Sequence, residues 1–122
     1  MSQDGTGEPK MLRDLMQAAQ KMQSEVARVN DELGRRSIDG ESGGGLVKCT
    51  VSGTGDVLSL TIDPAVTTMA GGPGPDAAAL KMVEDLTVAA VNAALGRARE
   101  IARTEMTRVT GGVGLPPGMF GA

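Results

Sequence analysis

The chain has 122 residues and a net charge of −3, with one cysteine, one phenylalanine and no histidine, tryptophan or tyrosine. This length suits a single domain, whose core must be built from aliphatic residues and methionine, so we expect a second chain to contribute to its stability. A single cysteine excludes an internal disulfide, and the absence of histidine and of paired carboxylates disfavours enzymes and metal sites.

We therefore expect no catalytic residue, no metal, no cofactor and no small-molecule substrate. Cys49 lies on the apolar face of a predicted strand and is interpreted as a core residue. No apolar run is long enough to span a membrane and no signal peptide is recognisable, so we expect a cytoplasmic protein without membrane contact.

The first predicted element is a long helix. Residues 1–9 are small and polar and predict a disordered tail, and Pro9 suits a first helical turn. Apolar residues then recur at alternating spacings of three and four as far as Gly34, which predicts a helix over about 10–34 with one apolar seam. The seam consists of Leu12, Leu15, Ala19, Met22, Val26, Val29 and Leu33.

A three-stranded antiparallel meander is predicted next, with a short strand around Ile38 and two alternating strands. Residues 40–45 read GESGGG, which raises the alternative of a phosphate-binding loop. In such a loop the lysine follows the last glycine directly and a helix begins there, whereas Lys48 comes three residues after Gly45 within a strand pattern. The stretch is therefore interpreted as a turn between strands.

The second hairpin has a predicted register that separates an apolar face from a polar one. A two-residue Thr54-Gly55 turn pairs the apolar residues of the two strands with each other: Val51 with Leu58, Cys49 with Leu60 and Val47 with Ile62. On the other face it pairs Ser52 with Val57, Thr50 with Ser59 and Lys48 with Thr61.

A second, longer helix follows a flexible loop at 65–75, with Asp76 as its predicted N-cap and an extent of about 77–109. Its first half, LKMVEDLTVAAVNAAL, is apolar on most sides and is expected to be buried. Its second half narrows to one apolar stripe formed by Leu95, Ala98, Ala102, Met106 and Val109. Residues 111–122 predict a flexible tail, which leaves 10–110 as the folded domain.

Positive charge is concentrated in two segments of the chain. Residues 10–30 and residues 86–122 each carry four basic and two acidic residues, whereas residues 31–85 carry four basic and nine acidic ones. Both predicted helices are too long for the sheet, and antiparallel pairing would bring the two basic segments together in a projecting arm. Ten residues of these segments are candidates for contact with a nucleic acid: Lys10, Arg13, Gln17, Gln20, Lys21, Arg28, Arg97, Arg99, Arg103 and Arg108.

The roles of these candidates differ by residue type. Lysine and arginine neutralise phosphates, while Gln17 or Gln20 could reach base edges. Arg99 and Arg103 are four residues apart, where like charges repel, so an anionic partner would relieve them. The alternative is that they are solvated arginines balanced by Glu100 and Glu105. The near absence of aromatic residues disfavours single-stranded nucleic acid, whose binding relies on stacking.

The chain resembles the YbaB/EbfC family of nucleoid-associated proteins. The resemblance rests on LMQAAQKMQSEVARVNDEL, IDGESGGGLVKCTVSGTGDVLSLTIDP, VEDLTVAAVNAAL and TGGVGLPPGM, which cover most of residues 10–119. It implies an α/β (α+β) fold of helix, three-stranded sheet and helix, a tweezer-like homodimer, and binding of duplex DNA by the helical arms. The Gly/Pro-rich loop at 70–75 and the acidic balance depart from the family pattern.

A second hypothesis is a prefoldin-like chaperone, because prefoldin subunits also combine β-hairpins with two long coiled-coil helices. This hypothesis predicts apolar arm tips for unfolded clients. Met11, Met16 and Met106 fit it, although packing in a core would explain them equally well.

Overall fold

The computed structural model describes residues 8–66 and 77–111. The elements are α1 (Glu8–Arg35), β1 (Ser37–Ser42), β2 (Val47–Ser52), β3 (Val57–Ile62) and α2 (Ala77–Gly111). The strands form one antiparallel sheet in the order β1-β2-β3. This confirms the α+β class and the predicted element order, and both helices are slightly longer than expected. The predicted N-cap Asp76 and almost all of the two predicted tails lie outside the described residues.

The chain divides into two compact units. One unit, Glu32–Arg103, contains the sheet and most of α2. The other contains Met1–Asp31 and Thr104–Ala122, of which residues 8–31 of α1 and 104–111 of α2 are described. No helix among the described residues is both long and apolar enough to cross a lipid bilayer.

The core of the sheet unit packs small residues of α2 against the middle of the sheet. Its buried members are Ile38, Val47, Cys49, Val51, Ala90, Ala94 and Ala98. Alanine side chains let a helix backbone approach a sheet closely, so this core is thin. The prediction that Cys49 is a core residue is confirmed, and its burial raises the pKa of the thiol.

The register of the second hairpin is confirmed over four pairs: Val47 with Ile62, Lys48 with Thr61, Cys49 with Leu60 and Thr50 with Ser59. The predicted pairs Val51–Leu58 and Ser52–Val57 are wrong, because a bulge follows Thr50 and places Val51 opposite Val57.

The loop of this hairpin is longer than the predicted two-residue turn, and local hydrogen bonds close it. The Ser52 backbone N–H donates to the Asp56 carbonyl at 2.8 Å, and the Asp56 N–H donates to the Ser52 Oγ at 3.1 Å. A serine hydroxyl that binds the backbone in this way competes with the regular ladder.

The glycine-rich turn is confirmed at Gly43, Gly44 and Gly45, which have φ angles of 63°, 69° and 96°. These angles lie in the left-handed region that glycine adopts without a steric penalty. Residues 40–42 of the GESGGG stretch belong to β1 instead. Because β2 begins at Val47, a strand follows the glycines, contrary to what a phosphate-binding loop would require.

Two expectations about burial are wrong. Leu80 and Val88 in the first half of α2 are exposed, because the helix buries an alanine face and turns these side chains outward. The apolar residues of β3 also remain exposed, although they share a face with the buried residues of β2. The narrow stripe in the second half of α2 is confirmed, since all its members are buried or half-buried.

Candidate nucleic-acid interface

The polar face of α1 forms a continuous stripe. At 100° per residue, its members fall within an arc of roughly 100° and span about 27 Å of helix. All are exposed: Lys10, Arg13, Gln17, Gln20, Lys21, Ser24 and Arg28. These residues therefore share one solvent-facing side of the helix.

The cations of this stripe differ in their partners. Lys10, Arg13 and Lys21 make no hydrogen bond or ion pair within residues 8–66 and 77–111. The Arg28 Nη2, by contrast, donates to the Glu25 Oε1 at 2.8 Å. The hydrogen bond and the charge of Arg28, with a smaller contribution from Lys21, lower the pKa of Glu25 below its usual value.

The arginines near the end of α2 also divide into those with an acidic partner and those without one. Arg103 pairs with Glu100 at 2.6 Å, and Arg108 pairs with Glu105 at 3.4 Å. Arg99 has no such partner in the described part of the chain. All three arginines are exposed, so Arg99 and Arg103 lie on the solvent side of the helix.

Arg97 is placed differently from the other candidates. Its Nη1 donates to the backbone carbonyl of Asp39 at 2.6 Å, so the side chain links α2 to β1. The sequence pattern groups it with the arm, but the structure gives it a role in holding the helix on the sheet.

The candidate DNA-contact residues are divided between the two units. Lys10, Arg13, Lys21, Arg28 and Arg108 fall in the unit of residues 8–31 and 104–111, together with Gln17 and Gln20, whereas Arg97, Arg99 and Arg103 fall in the sheet unit. The juxtaposition of both basic segments in one arm stays a prediction.

Sequence reasoning named Glu100 and Glu105 as residues that balance the arginines of α2, but it missed the pairing of Glu25 with Arg28. The sequence carries the signal, because Glu25, Glu100 and Glu105 each precede an arginine by three positions and such residues are neighbours on a helix surface. Within the described residues, no group of three or more histidine, cysteine or acidic side chains is arranged to hold a metal ion.

The apolar seam of α1 is covered along only part of its length. Leu12 and Leu15 are 60% and 62% exposed, Met22 and Val26 are half-buried, and Leu33 is only 3% exposed. An open groove of about 420 Å³ lies midway, lined by Ala19, Met22, Gln23, Val26, Ala27 and Asn30. The first half of the seam is therefore an uncovered apolar surface.

Comparison with known proteins assigns the family. The family described as the YbaB/EbfC DNA-binding family matches residues 9–113. The chain belongs to the YbaB/EbfC DNA-binding family. This match covers the polar face of α1, the sheet and all the arginine candidates of α2, and it confirms the resemblance drawn from the sequence.

Curated relatives agree with the YbaB/EbfC assignment. The chain is 36% identical over 109 residues to a nucleoid-associated protein of Caldanaerobacter subterraneus subsp. tengcongensis, covering 89% of this chain and 90% of that one. It is 37% identical over 112 residues to a nucleoid-associated protein of Acidobacterium capsulatum, covering 92% and 98%. A nucleoid-associated protein of an Anaeromyxobacter species is 41% identical over 102 residues, covering 84% and 91%. These similarities do not favour the prefoldin-like hypothesis.

Proposed function

We propose that this protein is a nucleoid-associated protein that binds duplex DNA as a homodimer. The observation that carries the proposal is the row of exposed, unpaired cations on the polar face of α1, in a chain that belongs to a DNA-binding family. Among the described residues, Lys10, Arg13 and Lys21 have no hydrogen-bonded or ion-paired partner to give up before they neutralise a phosphate. Phosphate contacts of this kind supply most of the affinity in sequence-independent DNA binding.

The acidic net charge does not prevent this binding, because residues 10–30 of α1 carry four basic residues against two acidic ones, Asp14 and Glu25. Beyond Glu25, the next acidic residues on the helix are Asp31 and Glu32. At 1.5 Å per residue, Asp31 lies about 15 Å along the axis from Lys21. This separation exceeds the Debye length of about 8 Å at physiological ionic strength, so salt largely screens the repulsion between Asp31 and a phosphate near Lys21.

The choice of duplex over single-stranded nucleic acid follows from the side chains available. Single strands are bound by stacking their bases on aromatic rings, and this chain has one aromatic residue, Phe120. The polar face of α1 instead offers cations that flank two amides, Gln17 and Gln20. Glutamine can bind the edge of adenine in a duplex groove, while the cations fix the position of the helix on the backbone.

The homodimer is supported by the uncovered face of β3. Leu58, Leu60 and Ile62 lie on an edge strand and are between 38% and 55% exposed. Leu60 and Ile62 pair with the fully buried Cys49 and Val47, so they extend the apolar face of the core past the area that α2 covers. An exposed apolar edge strand invites association, and a second copy would bury it on both chains.

The experiment that tests DNA binding compares two double variants with the same change of charge. The first, Arg13→Gln with Lys21→Gln, removes two unpaired cations of the stripe. The second, Arg36→Gln with Lys48→Gln, removes one arginine and one lysine that are equally exposed and unpaired but lie in the sheet unit. Binding of a labelled duplex is measured by fluorescence anisotropy across a salt series.

We expect the first variant to bind more weakly and the second to resemble the parent. The slope of log K against log salt should become shallower by about 0.9 for each phosphate that the variant no longer neutralises, and only in the first variant. Equal effects of the two variants would mean that net charge alone matters and that the α1 stripe is not the interface. If the parent protein binds no duplex at low salt but suppresses the aggregation of an unfolded client, the prefoldin-like hypothesis would replace this one.

A further inference from the structure

The paired and unpaired cations of the candidate interface differ in the residue that lies three positions before each of them in the sequence. Arg28, Arg103 and Arg108 each follow a glutamate by three residues, and each is paired with that glutamate. The unpaired cations Lys10, Arg13, Lys21 and Arg99 instead follow Gly7, Lys10, Ala18 and Gly96 at the same spacing. Three of the seven cations are therefore electrically compensated within their own helix.

We propose that Glu25, Glu100 and Glu105 are internal competitors of the DNA phosphate, which limit the affinity of the protein for DNA. This inference rests on the proposed function. In the free protein each glutamate occupies the guanidinium that a phosphate would otherwise bind. DNA engages these three arginines in competition with the glutamates, whereas the four unpaired cations bind without such a competitor.

The geometry of the pairs shows where carboxylate and phosphate compete. The Arg103 Nη1 lies 2.6 Å from one carboxylate oxygen of Glu100 and 3.1 Å from the other. Glu100 therefore engages only the Nη1 of a guanidinium that has five N–H donors. A phosphate that binds through Nη1 competes with the carboxylate directly, and a phosphate on the remaining donors lies close to its negative charge.

The exposure of the pairs shows why displacement is feasible. The side chains of Arg28, Arg103 and Arg108 are 54%, 69% and 71% exposed, so a DNA backbone can reach each of them. Exposed pairs are weak in water, and salt screens them further. The glutamates therefore reduce affinity without abolishing it, and their effect should amount to about two- to fivefold in Kd for each pair.

The consequence is two classes of contact with DNA. Lys10, Arg13, Lys21 and Arg99 attract any polyanion from a distance. The paired arginines add to the binding only where a phosphate is held close enough to replace a carboxylate, which a duplex backbone provides and a dilute small anion does not. The chain thus has many basic residues for the recognition of DNA and still binds dilute small anions only weakly.

The test removes the competitors and leaves the arginines in place. Glu100→Gln with Glu105→Gln is compared with Glu41→Gln with Glu84→Gln, which removes the same charge from exposed positions of the sheet unit. Position 84 lies about 24 Å along α2 from position 100, well beyond the Debye length. We expect the first variant to bind duplex DNA about three- to tenfold more tightly than the parent, and the second to change Kd by less than about twofold.

Three further single variants test the inference independently of the Glu100 and Glu105 substitutions. Glu25→Gln repeats the test on α1, with an expected gain of about two- to fivefold in Kd. Arg103→Gln should weaken binding less than Arg99→Gln, because Arg103 must first separate from Glu100. Equal gains in affinity from the Glu100/Glu105 and Glu41/Glu84 double variants would overturn the competitor role while the proposed DNA binding stands. Equal losses of affinity from Arg103→Gln and Arg99→Gln would do the same. Absence of duplex binding in the parent and in all variants would overturn both.

Discussion

Gly40 of β1 and Ala94 of α2 approach so closely that a Cβ added to Gly40 would lie 2.7 Å from the Ala94 Cα. The obstacle is helix backbone, which cannot rotate away as a side chain can. We therefore expect Gly40→Ala to lower the free energy of unfolding by at least about 2 kcal/mol, in the range of overpacked cores. Urea denaturation followed by circular dichroism measures the change.

Gly96→Ala is the matched control for this substitution. A Cβ at Gly96 meets only the Arg99 side chain, at 3.9 Å, and the residue lies within α2. We expect stability to be unchanged or raised by about 0.5–1 kcal/mol, because alanine restricts the unfolded chain more than glycine does. Equal destabilisation by both substitutions would mean that Gly40 is not a contact point between strand and helix.

The proposed homodimer should depend on the apolar face of β3. Leu60→Asp places a charge on this face, while Thr61→Asp places the same charge on the opposite face, beside Lys48. We expect light scattering of the parent and of Thr61→Asp to give about twice the chain mass of 12.4 kDa. Leu60→Asp should shift the mass towards the monomer, and a fully dimeric Leu60→Asp at micromolar concentration would exclude β3 as the interface.

Cys49 should be inert in the folded protein. It is fully buried, and the raised pKa of its thiol keeps the reactive thiolate scarce at neutral pH. We expect a maleimide reagent to label the native protein much more slowly than the protein in strong denaturant. Rapid labelling under native conditions would show that the sheet and α2 separate readily at this point.

The pKa of Glu25 should respond to its partner. Since the hydrogen bond and charge of Arg28 are the main causes of the lowered pKa, Arg28→Gln should return it towards its usual value of 4.5. A carboxyl with a depressed pKa stabilises the fold above its unfolded pKa, and this contribution is lost as the pH falls through the folded value. An NMR titration of the Glu25 carboxyl carbon measures the shift, and an identical pKa in the variant would contradict the pairing.

Gln17 and Gln20 should affect specificity more than overall affinity. Each sits among cations on the polar face of α1 but carries no charge to neutralise a phosphate. We expect alanine at either position to change the relative affinity for duplexes of different sequence, while the salt slope stays that of the parent. A shallower salt slope would instead assign these amides to backbone contacts.

The sequence predicted those features that depend on local pattern. Heptad spacing located α1, alternation located β2 and β3, and Gly43–Gly45 located the turn between β1 and β2. Each of these rests on a periodicity or a glycine conformation that needs no knowledge of distant residues. The exposed stripe of α1 followed in the same way, because a helix fixes which positions share a side.

The features that the sequence did not predict depend on which of several possible contacts a residue makes in the folded chain. The bulge after Thr50 arises because Ser52 bonds to Asp56 across the turn and lengthens the loop. The hydrogen bond of Arg97 to Asp39 joins residues far apart in the chain, so spacing gives no sign of it. The uncovered state of β3 could not be deduced either, because alternation shows which face is apolar and not which part of that face a helix will cover.

The uneven cover of the α1 seam has a thermodynamic consequence. The buried turns around Val29 and Leu33 anchor one end of the helix, whereas the turns around Leu12 and Leu15 gain little from packing within the described chain. A helical segment without packing is only marginally stable in water, so its order rises when something binds to it. Amide exchange should therefore slow from the beginning of α1 towards its end, and any binding to the first turns would carry the entropic cost of fixing a fluctuating helix.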